Sequence, residues 1–178
     1  LTSLRANREA LICAHDEAST YDFNNRVRAM YTQLHPMLQP KTHTDRRDLV
    51  YFSTTTHERR RGANVGLESK LVFRTAQAGQ LGRSYNFHAV LLSEFAIWPE
   101  LKVDVADQMG GLLQVMSDEA GTILILESTA KGENEATRWW TDANNGYRKV
   151  FIPWCAFDEY RSPQLKYDKL KDLSADPD

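Results

Sequence analysis

The chemistry in this chain is concentrated where its apolar runs stop. Phe87-His88-Ala89-Val90-Leu91-Leu92 has the composition of a buried strand and ends abruptly in Ser93-Glu94, with the aromatic segment Phe95-Ala96-Ile97-Trp98 behind it. A carboxylate at the end of a buried strand is fixed in direction and partly shielded from water. Glu94 can therefore orient and polarise a water for attack on a phosphoryl group. A carboxylate so placed can equally satisfy nearby helix amides, and the residue alone does not choose between the two. Ser93 can hydrogen-bond a magnesium-bound water without adding charge, or it can cap a helix.

A second apolar run, Thr122-Ile123-Leu124-Ile125-Leu126, ends in Glu127-Ser128-Thr129-Ala130-Lys131-Gly132. The hydroxyls of Ser128 and Thr129 suit a terminal phosphate whose presence is reported by a loop movement; read alone, the run is a polar turn. Arg83, in Gly82-Arg83-Ser84, stands on a loop ahead of the first run. An arginine there can reach a neighbouring subunit's phosphates, although most such arginines are only solvated. Arg59, Arg60 and Arg61 follow His57-Glu58 and are candidate DNA-phosphate contacts or a plain solvated loop. The five histidines show no metal-ligand spacing. The sequence contains no G-x-x-x-x-G-K-[ST], the loop whose amides and lysine cradle the phosphates of a nucleotide.

The elements that must position these residues alternate between strands and helices. Glu9 to His15 reads as a short buried strand. Glu17 to Leu34 carries Phe23, Val27, Met30, Tyr31 and Leu34 on one helical stripe, ended by His35-Pro36. Residues 36–48 read as polar and irregular. The runs 49–52 and 71–74 flank a polar segment and predict a β-hairpin with a long, mobile loop. Residues 101–118 predict a helix in which Gly110-Gly111 marks a break or a close contact, because each glycine costs about 1 kcal/mol relative to alanine. A helix over 134–144 and a last strand over 150–152 follow. The alternation predicts an α/β domain with a largely parallel sheet.

Composition sets the outer bounds. A chain of 178 residues with 42% apolar and 26% charged residues suits one domain with a real core. The net charge of −2 gives no global basic signature, so any DNA contact must be local. Cys13 and Cys155 sit among apolar neighbours and read as free thiols in a reducing compartment. No apolar run approaches a membrane span, and no signal peptide is visible. The start at Leu1, not Met, suggests an excised fragment, and processing would produce the same start.

Taken in order, four segments resemble the ATPase domain of the large terminase subunit, the DNA-packaging motor of tailed bacteriophages: Ala14-His15-Asp16; Gly82-Arg83-Ser84; Leu91-Leu92-Ser93-Glu94-Phe95-Ala96-Ile97-Trp98; and Ile125 to Gly132 with Phe151-Ile152-Pro153-Trp154 downstream. The resemblance implies a RecA-like P-loop NTPase of the ASCE class, with a largely parallel sheet flanked by helices. That sheet would be incomplete at the N-terminus and carry a β-hairpin insertion. Residues 1–157 would be a partial ATPase domain and 158–178 a linker toward a missing nuclease domain. Glu94 would be the catalytic carboxylate and Arg83 an arginine finger acting in trans. Ser93 would be the metal-side residue of the Walker B strand, and Ser128 and Thr129 the coupling pair. ATP and Mg2+ are the implied cofactors. Double-stranded DNA, the portal protein, the small terminase subunit and further copies in a ring are the implied partners, in the host bacterial cytoplasm. The chain departs from the family in having Ser93 for an aspartate, Ser84 after Arg83 where glycine is common, and no phosphate loop. Another RecA-like DNA motor or helicase, or an inactive prophage-derived assembly module, are the competing readings.

Overall fold

The computed structural model describes residues 5–62, 66–79, 81–101 and 104–153. Its centre is a six-stranded sheet in the order β2-β3-β4-β1-β5-β6. The strands are β1 (Glu9–Ala14), β2 (Thr44–Arg46), β3 (Leu49–Phe52), β4 (Ser69–Thr75), β5 (Phe87–Ser93) and β6 (Ile123–Glu127). β4, β1, β5 and β6 run parallel, while β3 pairs antiparallel with β4 and β2 antiparallel with β3. A mixed α/β fold with a largely parallel sheet and an antiparallel hairpin is thus what the alternating runs specify.

Strand alternation builds the core on both faces, as parallel strands require. On one face Leu11, Cys13, Val72, Val90 and Leu92 pack with Phe95, Trp98, Val105, Met109 and Leu112. On the other, Ala10, Val50, Phe52, Leu71 and Phe73 meet Phe23, Val27 and Tyr31 of α1 (Glu17–Gln33). Asp16 caps α1, its side chain accepting from the Ser19 amide at 2.7 Å, and that bond above all holds its carboxyl below the usual range. Leu34 and His35 turn extended before Pro36, where the helix stops. Burial pushes the Cys13 thiol up to about 12, against the pull of Arg74, so it is an unreactive core group.

Several local expectations fail for identifiable reasons. Met30 is 67% exposed, so the apolar stripe of α1 is narrower than its sequence pattern. Residues 36–48 are not irregular throughout: Pro36–Leu38 form a 3₁₀ turn, and β2 adds an edge strand whose polar sequence hid it. The hairpin between β3 and β4 is present, but its loop carries α2 (Thr56–Arg60). A reciprocal capping box between Thr55 and Glu58 starts that helix. A hydrogen bond from Lys41 and others from Thr55 bring the Glu58 carboxyl down to about 2. Val150, Phe151 and Ile152 form no strand, and Cys155, Trp154 and the expected linker lie outside the described residues.

Contacts divide the chain into two units, Leu1–Thr141 and Asp142–Asp178. In the second, the described part is a turn in which Asp142 accepts from the Asn144 amide at 2.8 Å and, through its carbonyl, from Lys149 Nζ at 2.6 Å. No helix among the described residues is long and apolar enough to cross a membrane.

The helix α3 (Val105–Gln114) runs unbroken through Gly110 and Gly111, and a methyl group at either would meet nothing within 4 Å. Neither a break nor a close contact explains these glycines. Gly110→Ala and Gly111→Ala should each raise unfolding free energy by about 0.5–1 kcal/mol, read by denaturant titration. A loss of stability at either position would show a packing constraint that this helix does not display.

Candidate active site at the carboxyl edge of the sheet

Parallel strands deliver their ends to one edge, the usual ligand side of open α/β sheets. Here that edge collects Ala14-His15-Asp16 after β1, Ser93-Glu94 after β5 and Glu127-Ser128-Thr129 after β6. His15 Nε2 lies 3.0 Å from Asp16 Oδ2.

At Glu94 the backbone leaves the strand with φ 53°, in the left-handed region that a residue with a Cβ adopts reluctantly. It then enters a 3₁₀ helix, Phe95–Leu101, begun by a bond from the Ile97 amide to the Glu94 carbonyl at 2.9 Å. Aromatic packing fixes this reversal from behind. Trp98 is fully buried, and its indole N–H donates to the Ser93 carbonyl at 3.1 Å. Phe95 meets Trp98 and Trp139 edge-on at centroid distances of 5.4 and 6.0 Å. Asn134, ahead of α4 (Glu135–Thr141), donates to the Ala96 carbonyl at 2.9 Å. The strain of order 1–2 kcal/mol is therefore held by a network around it.

The reversal presents Glu94 to the two hydroxyls beyond β6. Thr129 Oγ1 donates to Glu94 Oε2 at 3.0 Å and Ser128 Oγ lies 3.4 Å from the same oxygen. Ser128 Oγ also accepts from the Ala96 amide at 3.0 Å, so one serine touches both sides of the turn. Ser93, 5% exposed, donates through Oγ to Glu127 Oε2 at 2.9 Å. Lys131 is taken up by Glu100 at 2.7 Å, and no cation pairs with Glu94 or Glu127 among the described residues. Glu94, Ser93, Ser128 and Thr129 are thus brought together. Glu127 joins them without having been singled out, although it ends β6 at the offset at which Ser93 ends β5.

The arginines lie elsewhere. Gly82 packs so closely on Val115 that a Cβ there would sit 2.2 Å from its Cγ2, and the Phe87 amide bonds the Val115 carbonyl at 2.8 Å. Arg83 therefore sits at the amino edge. It is exposed and has no side-chain partner among the described residues. The seven residues of β5 put that edge about 20 Å from Glu94. The α2 arginines also lie on the amino side, because Phe52 pairs with Ser69 at the start of β4. Arg59 is tied to Glu68 and donates to Ser53 Oγ at 2.6 Å, whereas Arg60 and Arg61 are exposed. Hydrogen bonds from Ser53 first, then Tyr51 and Arg59, hold the Glu68 carboxyl below its usual range.

No family model and no curated protein sequence matches the chain. Among solved structures it is similar to the large terminase ATPase domain of Thermus phage P74-26, with a TM-score of 0.51 and 18% identity. The match covers 82% of this chain and 57% of that one, so the chain spans little more than half the length of that structure. The likeness lies in the fold, a mixed α/β arrangement with a largely parallel sheet.

The turn at Glu94 yields a stability test independent of any activity. Glycine adopts φ 53° without the Cβ penalty, so Glu94→Gly should be about 1 kcal/mol more stable than Glu94→Ala by thermal or denaturant unfolding. Equal stabilities would mean that the turn stores no strain.

Proposed function

We propose that this chain is the Walker B-to-coupling part of a terminase-type ATPase, the motor that drives double-stranded DNA into a viral procapsid. The observation that carries the reading is the Glu94 carboxylate receiving the Thr129 hydroxyl across the carboxyl edge, with Ser128 alongside. The ATPase-domain fold supports it.

The side chains of Ser93, Glu94, Glu127, Ser128 and Thr129 at this edge all offer oxygen, the donor that Mg2+ selects. That oxygen set fits Mg2+. Ser93 and the carboxylates beside it would hold the ion, which in such sites neutralises charge on the β- and γ-phosphates. The phosphate cradle is not in this sequence and would come from another segment or chain. β6, the last strand of the sheet, pairs only with β5 among the described residues and offers a parallel edge there.

Glu94 positions the attacking water and accepts its proton as the bond to phosphorus forms. Thr129 donates to Glu94 Oε2 before nucleotide arrives, with Ser128 alongside. A terminal phosphate competing for those hydroxyls would free Glu94 and shift the loop after β6, which couples chemistry to movement. Arg83 lies too far from Glu94 to act on the same nucleotide, so its finger role requires a neighbour in a ring. Arg60 and Arg61 are the stronger DNA candidates, because Arg59 is committed to Glu68. The portal protein and the small terminase subunit complete the proposed assembly, in the host cytoplasm.

In the full-length protein, Glu94→Gln should cut DNA-stimulated ATP hydrolysis by at least about 100-fold while sparing ATP binding. Arg83→Ala should cost on the order of 1,000-fold or more. Mixing the two inactive variants should recover part of the rate, because one subunit supplies the carboxylate and its neighbour the arginine. Undiminished turnover in Glu94→Gln would overturn the assignment of Glu94 as the catalytic carboxylate, whereas absence of any ATP hydrolysis in the unmutated full-length protein would favour a non-enzymatic assembly role. Failure of every mixture to recover would remove Arg83 from the mechanism.

A further inference from the structure

We propose that Glu127 supplies to the Mg2+ site the negative charge that Ser93 lacks, so that the metal-side group of this motor is a serine–glutamate pair spanning two strands. The inference rests on the ATPase reading above and deepens it.

Ser93 and Glu127 are register partners at the last rung of the parallel β5–β6 ladder. Partners in register project to the same face of the sheet, and their Cα atoms stand about 4.8 Å apart. That face is the one opposite Leu92 and Leu126, which point into the core beneath α3. Beyond β5 it is open: Ile123 and Ile125, on the same side of β6, are 42% and 45% exposed. Glu127 is therefore a solvent-reaching carboxylate on a fixed strand end, beside a buried hydroxyl and one residue before the coupling pair.

The hydrogen bond between them assigns each a task. Ser93 has one proton, and at 2.9 Å it is spent on Glu127 Oε2. The lone pairs of Ser93 Oγ are then turned away from Glu127, free to meet a cation or one of its bound waters. Glu127 Oε1 has no partner among the described residues, so that carboxylate keeps full capacity as a ligand or as an acceptor for metal-bound water. Glu94 and Glu127 place two negative charges on adjacent strand ends with no pairing cation among the described residues. Lys131, the nearest in sequence, is held by Glu100. An aspartate at position 93 would lie on the rung opposite Glu127 and repel it, because like charges directly opposite on paired strands are destabilising. Serine at 93 and glutamate at 127 are thus complementary: the carboxylate has moved one strand over, and the hydroxyl left behind orients it.

The test uses the full-length protein with a non-hydrolysable ATP analogue and Mn2+ as the paramagnetic substitute for Mg2+, bound ion being read by electron paramagnetic resonance. Wild type should hold Mn2+ only with nucleotide. E127Q should bind it roughly tenfold to a hundredfold more weakly at unchanged analogue affinity. S93D/E127Q, which returns the carboxylate to the neighbouring strand, should restore binding. Thermal melting checks that all variants fold. Wild-type Mn2+ affinity in E127Q overturns the proposal, and so does a loss that S93D/E127Q does not repair, since a structural role would not follow the charge across the strands. If the analogue fails to bind wild type at any metal concentration, the ATPase reading falls first and takes this inference with it.

Discussion

The candidate site depends on a backbone reversal that the chain resists. A glutamate at φ 53° needs something to hold it there, and the restraint comes from behind, in the buried Trp98 ring and its bond to the Ser93 carbonyl. Without that anchor Glu94 would relax toward the strand direction and lose the Thr129 hydroxyl. Phe95, Ala96 and Trp98, all buried, therefore support the edge from behind. Phe95 extends the same restraint to Trp139, so the loop beyond β6 and the turn beyond β5 share one aromatic cluster. A movement at Ser128 and Thr129 has a packed route back into the domain.

The parts of this arrangement legible in the sequence were those written in local pattern. Two apolar runs stopping at polar residues located β5, β6 and the carboxyl edge, because strands of a parallel sheet carry apolar residues on both faces, a pattern β6 keeps although Ile123 and Ile125 are exposed. The hairpin of β3 and β4 was legible for the same reason. β2 was not: Thr44–Arg46 is polar, and a short edge strand is fixed by its partner's backbone rather than by its own side chains. Nor was the role of Glu127 legible, because the Ser93–Glu127 bond is a fact of register, and register between strands separated by a helix is set by tertiary packing. The three arginines at 59–61 looked equivalent in sequence and are not. Glu68 claims the first through a contact across the hairpin, and only the other two remain free for a partner.

The sheet also separates two kinds of chemistry by its own length. Carboxylates and hydroxyls gather at the carboxyl edge, while Arg83, Arg60 and Arg61 stand at the amino edge, about 20 Å away along β5. A single copy therefore cannot bring its own arginine to its own glutamate without unfolding the strand between them. If both residues serve one hydrolytic step, as proposed, that step would need an interface between two copies. That constraint is stronger than the similarity in fold, because it follows from which end of one strand each residue occupies. A ring in which the amino edge of each subunit faces the carboxyl edge of the next would satisfy it with a single repeated contact.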